Sequence, residues 1–178
     1  TNRALTVIGA TWGSQGRTFA SGNNITIPAA ESSSLNFTSS DFTFIAWINP
    51  VNITSTMEIL SRGAYLTDGY YWRILSGSLD FETQQSGART TLSISGVTTG
   101  QQQVAFVKSG STGTFYRNTV NLLSGTMSNP DSANRVFEIG SFGASYFIGV
   151  YGELLAFNRA FSTQEIQQIY NATKWRYT

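Results

Sequence analysis

The sequence contains no cysteine and no histidine. The first absence removes disulfide frames, thiolate nucleophiles, iron–sulfur centres and cysteine-based zinc sites. The second removes Ser-His-Asp triads and every imidazole metal ligand. Charge is scarce as well. Only 12% of residues are charged, and eleven basic against ten acidic residues leave a formal net charge of +1. That balance lacks the basic footprint a nucleic-acid binder needs. No run of 18 apolar residues occurs, so membrane insertion is not expected. Proline is limited to three residues. There is no Pro-rich linker, charge block or fixed-period repeat at which to divide the chain, and one domain over residues 1–178 is expected.

What the sequence does have is hydroxyl, amide and aromatic groups. Serine and threonine number 22 each, beside 12 Asn and 9 Gln, so these side chains take the solvent-facing role usually held by Lys and Glu. Aromatic residues make up 13% of the chain, and glycine contributes 17 residues. Abundant aromatic and β-branched residues, punctuated by glycine, suit an all-β domain with many turns.

Periodicity places short strands at Ala4–Gly9, Arg17–Ala20, Asn24–Pro28 and Asp41–Pro50, with a polar loop at Ser32–Ser34. In Asp41–Pro50, Phe42, Phe44, Ala46 and Ile48 share one face, while Thr43, Ile45 and Trp47 share the other. A strand apolar on both sides is central and covered on both faces. Further strands follow at Met57–Ser61, Tyr70–Leu75, Leu79–Thr83, Thr90–Ile94, Gln102–Lys108, Thr114–Asn118, Val136–Gly140 and Phe147–Phe157. Ser76-Gly77-Ser78 and Ser109–Gly113 read as hairpin turns. One helix is expected near the end. Ser162 and Glu165 form a capping box, Phe161 and Ile166 a hydrophobic staple, and Ile166, Ile169 and Tyr170 an amphipathic stripe. The pattern is that of an antiparallel β-sandwich with one short C-terminal helix.

Four segments together resemble the laminin-G-like jelly rolls of the concanavalin A-like lectin/glucanase superfamily. DFTFIAWINP (41–50) resembles that family's Trp-containing strand, and YYWRILSGSLDF (70–81) the hairpin that follows. QQQVAFVKSGSTGTFYRN (101–118) is similar to its next strand pair. FIGVYGELLAFNRAFSTQEIQQIY (147–170) is similar to its closing strand, turn and capped helix. Two departures stand out. Gln102 or Gln103 replaces the usual Trp, and Asn118-Thr119 replaces the usual Asn-Gly turn.

The resemblance implies an all-β, concanavalin A-like jelly roll, and it raises three chemistries. Glucanases of the superfamily carry an E-x-D pattern of alternating acids, which this chain lacks. Asp80 and Glu82 are the nearest equivalent, two acids on one strand face. Their ordinary reading is a solvated face, and no catalytic residue is assigned. Relatives also hold Ca²⁺ in rim loops. Asp68 and Asp131 are the candidate ligands here, although both lie in sequences that make ordinary turns. No cofactor is required, and Ca²⁺ is the one metal considered. Sugar binding, finally, favours an aromatic platform beside polar side chains. Tyr65, Asp68, Tyr71 and Arg73 are the candidate set, with Tyr70 and Trp72 on the opposite, core-facing side of the same strand. Trp12 and Trp175 are expected to serve packing or an interface.

The expected function is therefore that of a non-catalytic binding module for a glycan or cell-surface polysaccharide, at an extracellular or virion surface. The alternative is a structural or adhesive virion or surface protein that works by protein–protein contact, including self-association, with the tail Lys174–Thr178 docked on a neighbour. A third reading is a glycoside hydrolase using Asp80 and Glu82.

Overall fold

The computed structural model describes residues 4–177; residues 1–3 and 178, the ends of the expected domain and tail, lie outside the described residues. Strands are numbered along the chain. One seven-stranded sheet runs in the order β1 (Thr6–Ile8), β4 (Asn24–Ile27), β13 (Phe137–Ile139), β6 (Met57–Ala64), β7 (Asp68–Leu75), β8 (Ser78–Gln85), β9 (Ala88–Ser95). The other runs β12 (Val120–Thr126), β11 (Thr112–Arg117), β10 (Gln102–Ser109), β5 (Phe42–Pro50), β16 (Gly149–Phe157), β3 (Gly16–Phe19), β2 (Thr11–Gly13). A small hairpin, β14 (Ser141–Phe142) and β15 (Ser145–Tyr146), lies beside the first sheet. Every strand pairing is antiparallel. The expected jelly-roll sandwich is the observed architecture.

The inward-facing residues of the two sheets form the main core. Phe81 of β8 and Phe106 of β10 stack across it with ring centroids 3.9 Å apart, and Phe42, Phe44, Tyr70 and Trp72 join them. As its sequence requires, β5 is central, between β10 and β16. Its Phe42, Phe44, Ala46 and Ile48 face the main core. Its Ile45 joins a second cluster with Ala105, Val107, Tyr116, Phe161 and Ile166 under the helix α1 (Thr163–Thr173). The capping box forms as expected: Ser162 Oγ accepts from the Glu165 amide, and the Glu165 carboxylate accepts from the Ser162 amide at 2.8 Å.

Four strands lie outside the sequence reading. β12 is an edge strand with mostly exposed residues, so it carries no burial pattern to read. It follows the Asn118-Thr119 turn, where both residues adopt positive φ (45° and 77°) and so reproduce an Asn-Gly-type turn with a β-branched residue. β2, β14 and β15 have only two or three residues. The expected polar loop at Ser32–Ser34 lies within a 3₁₀ turn, Ala29–Leu35, which buries Ser32 and Leu35.

Candidate functional site

The candidate binding residues from the sequence map to β7, its preceding turn and the outer face of the first sheet. The alternation is as expected: Tyr70 and Trp72 enter the core, and Tyr71 and Arg73 point outward. The outward side, however, is not open. Phe142 of β14 packs on Tyr71 with ring centroids 4.4 Å apart, leaving it 1% exposed. Burial, and next the charge of Asp68, hold its hydroxyl above the usual phenol range. Arg73 is drawn down to the Glu82 carboxylate. Tyr71 and Arg73 are therefore filled positions rather than a sugar platform. Tyr65 is exposed, with the Arg89 guanidinium 5.3 Å from its ring centroid.

Asp68 and Asp131 brace loops. Asp68 Oδ1 accepts from the Ala64 amide at 2.7 Å and lies 3.7 Å from Arg135. Asp131 Oδ2 accepts from the Ser86 amide at 2.8 Å, and the Asp131 carbonyl accepts from the Gly69 amide at 3.0 Å. Among the described residues no three Asp, Glu, His or Cys side chains converge as a metal-ligand set.

Asp80 and Glu82 share a face, but it is not a solvated one; both are buried. Glu82 pairs with Arg73 and lies 3.5 Å from Arg89, while Asp80 accepts from the Ser93 hydroxyl. Cross-strand register adds an acid that the sequence reading passed over. Glu58 of β6 stands opposite Arg73, which stands opposite Asp80. Glu58 is 1% exposed, and its Oε2 has no hydrogen-bond partner. Desolvation raises its pKa to about 8 against the pull of Arg73, with Glu82, Glu138 and Asp80 adding to the rise. A carboxyl group held protonated at neutral pH is a proton donor by chemistry. Here the packing encloses it and its neighbours, which leaves no approach for a glycosidic bond.

The open, polar and aromatic surface lies elsewhere, at the edge of the second sheet. On β16, Tyr151 pairs with Ile48 and Leu154 with Ala46, so Gly152 and Glu153 stand opposite the single residue Trp47. Such a bulge re-aims side chains. Gly152 is required here: a Cβ would lie 2.5 Å from the Tyr177 ring and 2.9 Å from the Trp47 Cβ. The space it leaves is occupied by the chain's C-terminal segment. Trp47 stacks on Tyr177 (4.6 Å) and Tyr170 (5.4 Å), and its indole N–H donates to Thr173 Oγ1 at 2.9 Å. The tail through Tyr177 thus docks on its own sandwich, with Tyr177 buried.

This docking sets Trp175, in the 3₁₀ turn Lys174–Arg176, beside the β2–β3 hairpin that carries Trp12. The two tryptophans, Ser14, Gln15, Glu153 and Arg176 line one cleft of about 560 Å³. Trp12 is 74% exposed and Trp175 68%, so of the expected packing or interface roles neither fills the packing one within the described chain. Arg17 lies over Trp12 at 4.1 Å, and Arg176 over Trp175 at 5.3 Å. Arg176 Nη1 lies 3.5 Å from Glu153 Oε1, and Glu153 Oε2 is buried without a hydrogen-bond partner. The one sequence signal for this site is Trp12 beside the turn-forming Gly13–Gly16.

Comparison with known proteins agrees with this architecture. A laminin-G-type family, described as the concanavalin A-like lectin/glucanases superfamily, matches residues 7–167. No curated protein matches the sequence. Among solved structures, the receptor-binding domain of botulinum neurotoxin D is similar with a TM-score of 0.78 at 12% identity, over 97% of this chain and 48% of that one. The serotype D ligand-binding domain in complex with N-acetylneuraminic acid gives 0.75 at 14% identity, over 96% and 46%. The serotype G binding domain gives 0.73 at 13% identity, over 96% and 46%. The chain spans just under half the length of these neighbours, and at such identities the likeness is one of fold. With the family match covering most of its length, the chain belongs to the concanavalin A-like lectin/glucanases superfamily, on its laminin-G-like branch.

Proposed function

We propose that this protein is a non-catalytic, carbohydrate-binding recognition module of an extracellular or virion surface, and that the glycan is held in the Trp12–Trp175 cleft. The observation that carries this reading is the pair of exposed indoles on one polar cleft. Leaving a large apolar ring in water forgoes roughly 1.5–3 kcal/mol of burial. Two such rings beside an amide, a carboxylate and a guanidinium are the composition that stacks on sugar C–H faces and binds hydroxyls. The neighbours, described as receptor-binding domains and in one case bound to N-acetylneuraminic acid, support recognition rather than hydrolysis. The enclosure of Asp80 and Glu82 supports it too. Ca²⁺ is not needed in this reading.

A glycan array with wild type, Trp12→Ala and Trp175→Ala tests it. Wild type retains a set of glycans, and each variant loses affinity by roughly tenfold, the equivalent of about 1.4 kcal/mol for a lost ring contact. Both side chains are exposed, so the melting temperature stays unchanged. Absence of binding to every glycan refutes the reading.

One observation favours protein contact as a second reading. Edge strand β1 and its flank expose Leu5, Val7 and Ile8, and an apolar groove beside them runs to Trp12 and Leu154. Light scattering that shows concentration-dependent assembly, lost in Val7→Lys, would support self-association through this edge.

A further inference from the structure

The Trp12–Trp175 cleft does not end at Trp12. Trp12 and Gly152 also line a second hollow, an apolar groove of about 260 Å³ with Leu5, Val7, Phe19 and Leu154 among its walls. Strand register explains its apolar character, because residues opposed across strands share a face. Val7 pairs with Ile25, Ile25 with Ile139, and Ile139 with the core residue Leu60, so Val7 faces inward between the sheets. Trp12 pairs with Arg17, and Arg17 with the core residue Tyr151, so Trp12 faces inward from the other sheet. At the opposite flank the sheet edges meet: a Cβ on Gly125 of β12 would lie 2.6 Å from Leu92 Cδ1 of β9. The flank at β1 and β2 is open, with Leu5 57% exposed and Val7 39%.

The two hollows differ in chemistry and share a wall. The cleft sets Ser14, Gln15 and Arg176 beside the indoles. Among the described residues, the groove has Arg17 as its one charged lining residue, and that guanidinium lies over the Trp12 ring and donates to the Ala10 carbonyl at 2.9 Å. A ligand that matches both halves has a hydroxyl-rich head and an apolar tail. Apolar side chains left in water forgo burial that an aliphatic chain laid along them would supply. Continuity with the cleft favours this occupant over a second copy of the chain, which would fill the groove and leave the indoles without a role.

We propose, on the carbohydrate reading above, that cleft and groove form one two-part site for a glycoside with an aliphatic aglycone, the saccharide on the indoles and the chain along Leu5, Val7 and Leu154. The test is calorimetry with methyl, n-hexyl and n-octyl glycosides of glucose, galactose, mannose and N-acetylglucosamine, each kept below its micelle-forming concentration. For the head group that binds, affinity should rise by about two- to fourfold per methylene until the groove is filled, so that the octyl glycoside binds at least about tenfold tighter than the methyl one. Leu5→Asp and Val7→Asp each remove most of this gain and leave methyl-glycoside binding unchanged. Trp175→Ala weakens the whole series by a similar factor. Affinity independent of chain length would overturn the two-part site and leave the carbohydrate reading standing. A gain that persists in both Asp variants would overturn the groove as its seat. Octyl tetraethylene glycol binding as tightly as the octyl glycosides, or binding unmoved in Trp175→Ala, would overturn the joint ligand. Concentration-dependent assembly lost in Val7→Asp, with no chain-length effect, would give the groove to a second copy instead. No binding of any glycoside would overturn this proposal, and the glycan array decides the carbohydrate reading separately.

Discussion

The lack of histidine turns Glu58 into a measurable probe of the fold. A carboxyl group with a pKa of 4.5 in the unfolded chain and about 8 in the folded one keeps its proton in the native state throughout the interval between. Within that interval the native state binds more protons than the unfolded state, so stability falls as pH rises. The contribution is fully present below pH 4.5 and lost as pH passes through about 8. At 1.36 kcal/mol per unit the whole difference is about 5 kcal/mol, of which about 3.5 kcal/mol falls between pH 5 and pH 8. That is a large share of the 5–15 kcal/mol by which domains are ordinarily stable. No imidazole titrates in this window, so histidine does not mask the slope. Glu58→Gln keeps the shape of the side chain and has no proton to lose. Chemical denaturation at several pH values, wild type beside Glu58→Gln, measures the difference. Wild type loses several kcal/mol between pH 5 and pH 8, or on the order of 10 °C in Tm, while the variant stays flat and becomes the more stable protein at pH 8. Parallel profiles for the two proteins would refute the assignment of a buried, protonated Glu58.

Two further outcomes follow from the packing. Gly152→Ala places a methyl group 2.5 Å from the Tyr177 ring and 2.9 Å from the Trp47 Cβ. It should cost about 1–3 kcal/mol by overpacking and, by displacing the tail that carries Trp175, weaken glycan binding; thermal denaturation and affinity electrophoresis read the two effects. Because Asp68 and Asp131 already accept from the Ala64 and Ser86 amides, adding Ca²⁺ or EGTA should leave Tm and glycan binding unchanged. A rise in Tm with Ca²⁺ that disappears in Asp131→Ala would instead restore the rim-loop calcium site.

Much of the sandwich was legible in the sequence, because period-2 burial and turn chemistry are local. The two apolar faces of β5 implied its central place, the Ser162–Glu165 spacing implied the capped helix, and Ser76-Gly77 implied the hairpin between β7 and β8. What the pattern could not convey is how open a face is. Tyr71 and Arg73 alternate outward as the period demands, yet β14 and a cross-strand carboxylate fill that side. Phe142 comes from far along the chain, and Glu82 reaches Arg73 from across the β7–β8 hairpin, where the period does not say which outward side chains pair. The same limit applied to the acids. Asp80 and Glu82 are visible as a pair, but Glu58 joins them only through the β6–β7–β8 register, and burial alone changes its protonation. The Trp12–Trp175 cleft is the clearest case. The sequence determined that both indoles exist, that Trp12 borders a turn and that the tail follows a capped helix. Tertiary structure decided that they meet, because the bulge at Gly152–Glu153 opens a seat on Trp47 for Tyr177 and so carries the C-terminal turn to the β2–β3 hairpin. Proximity between the two ends of a chain is a property of packing, and no local pattern encodes it.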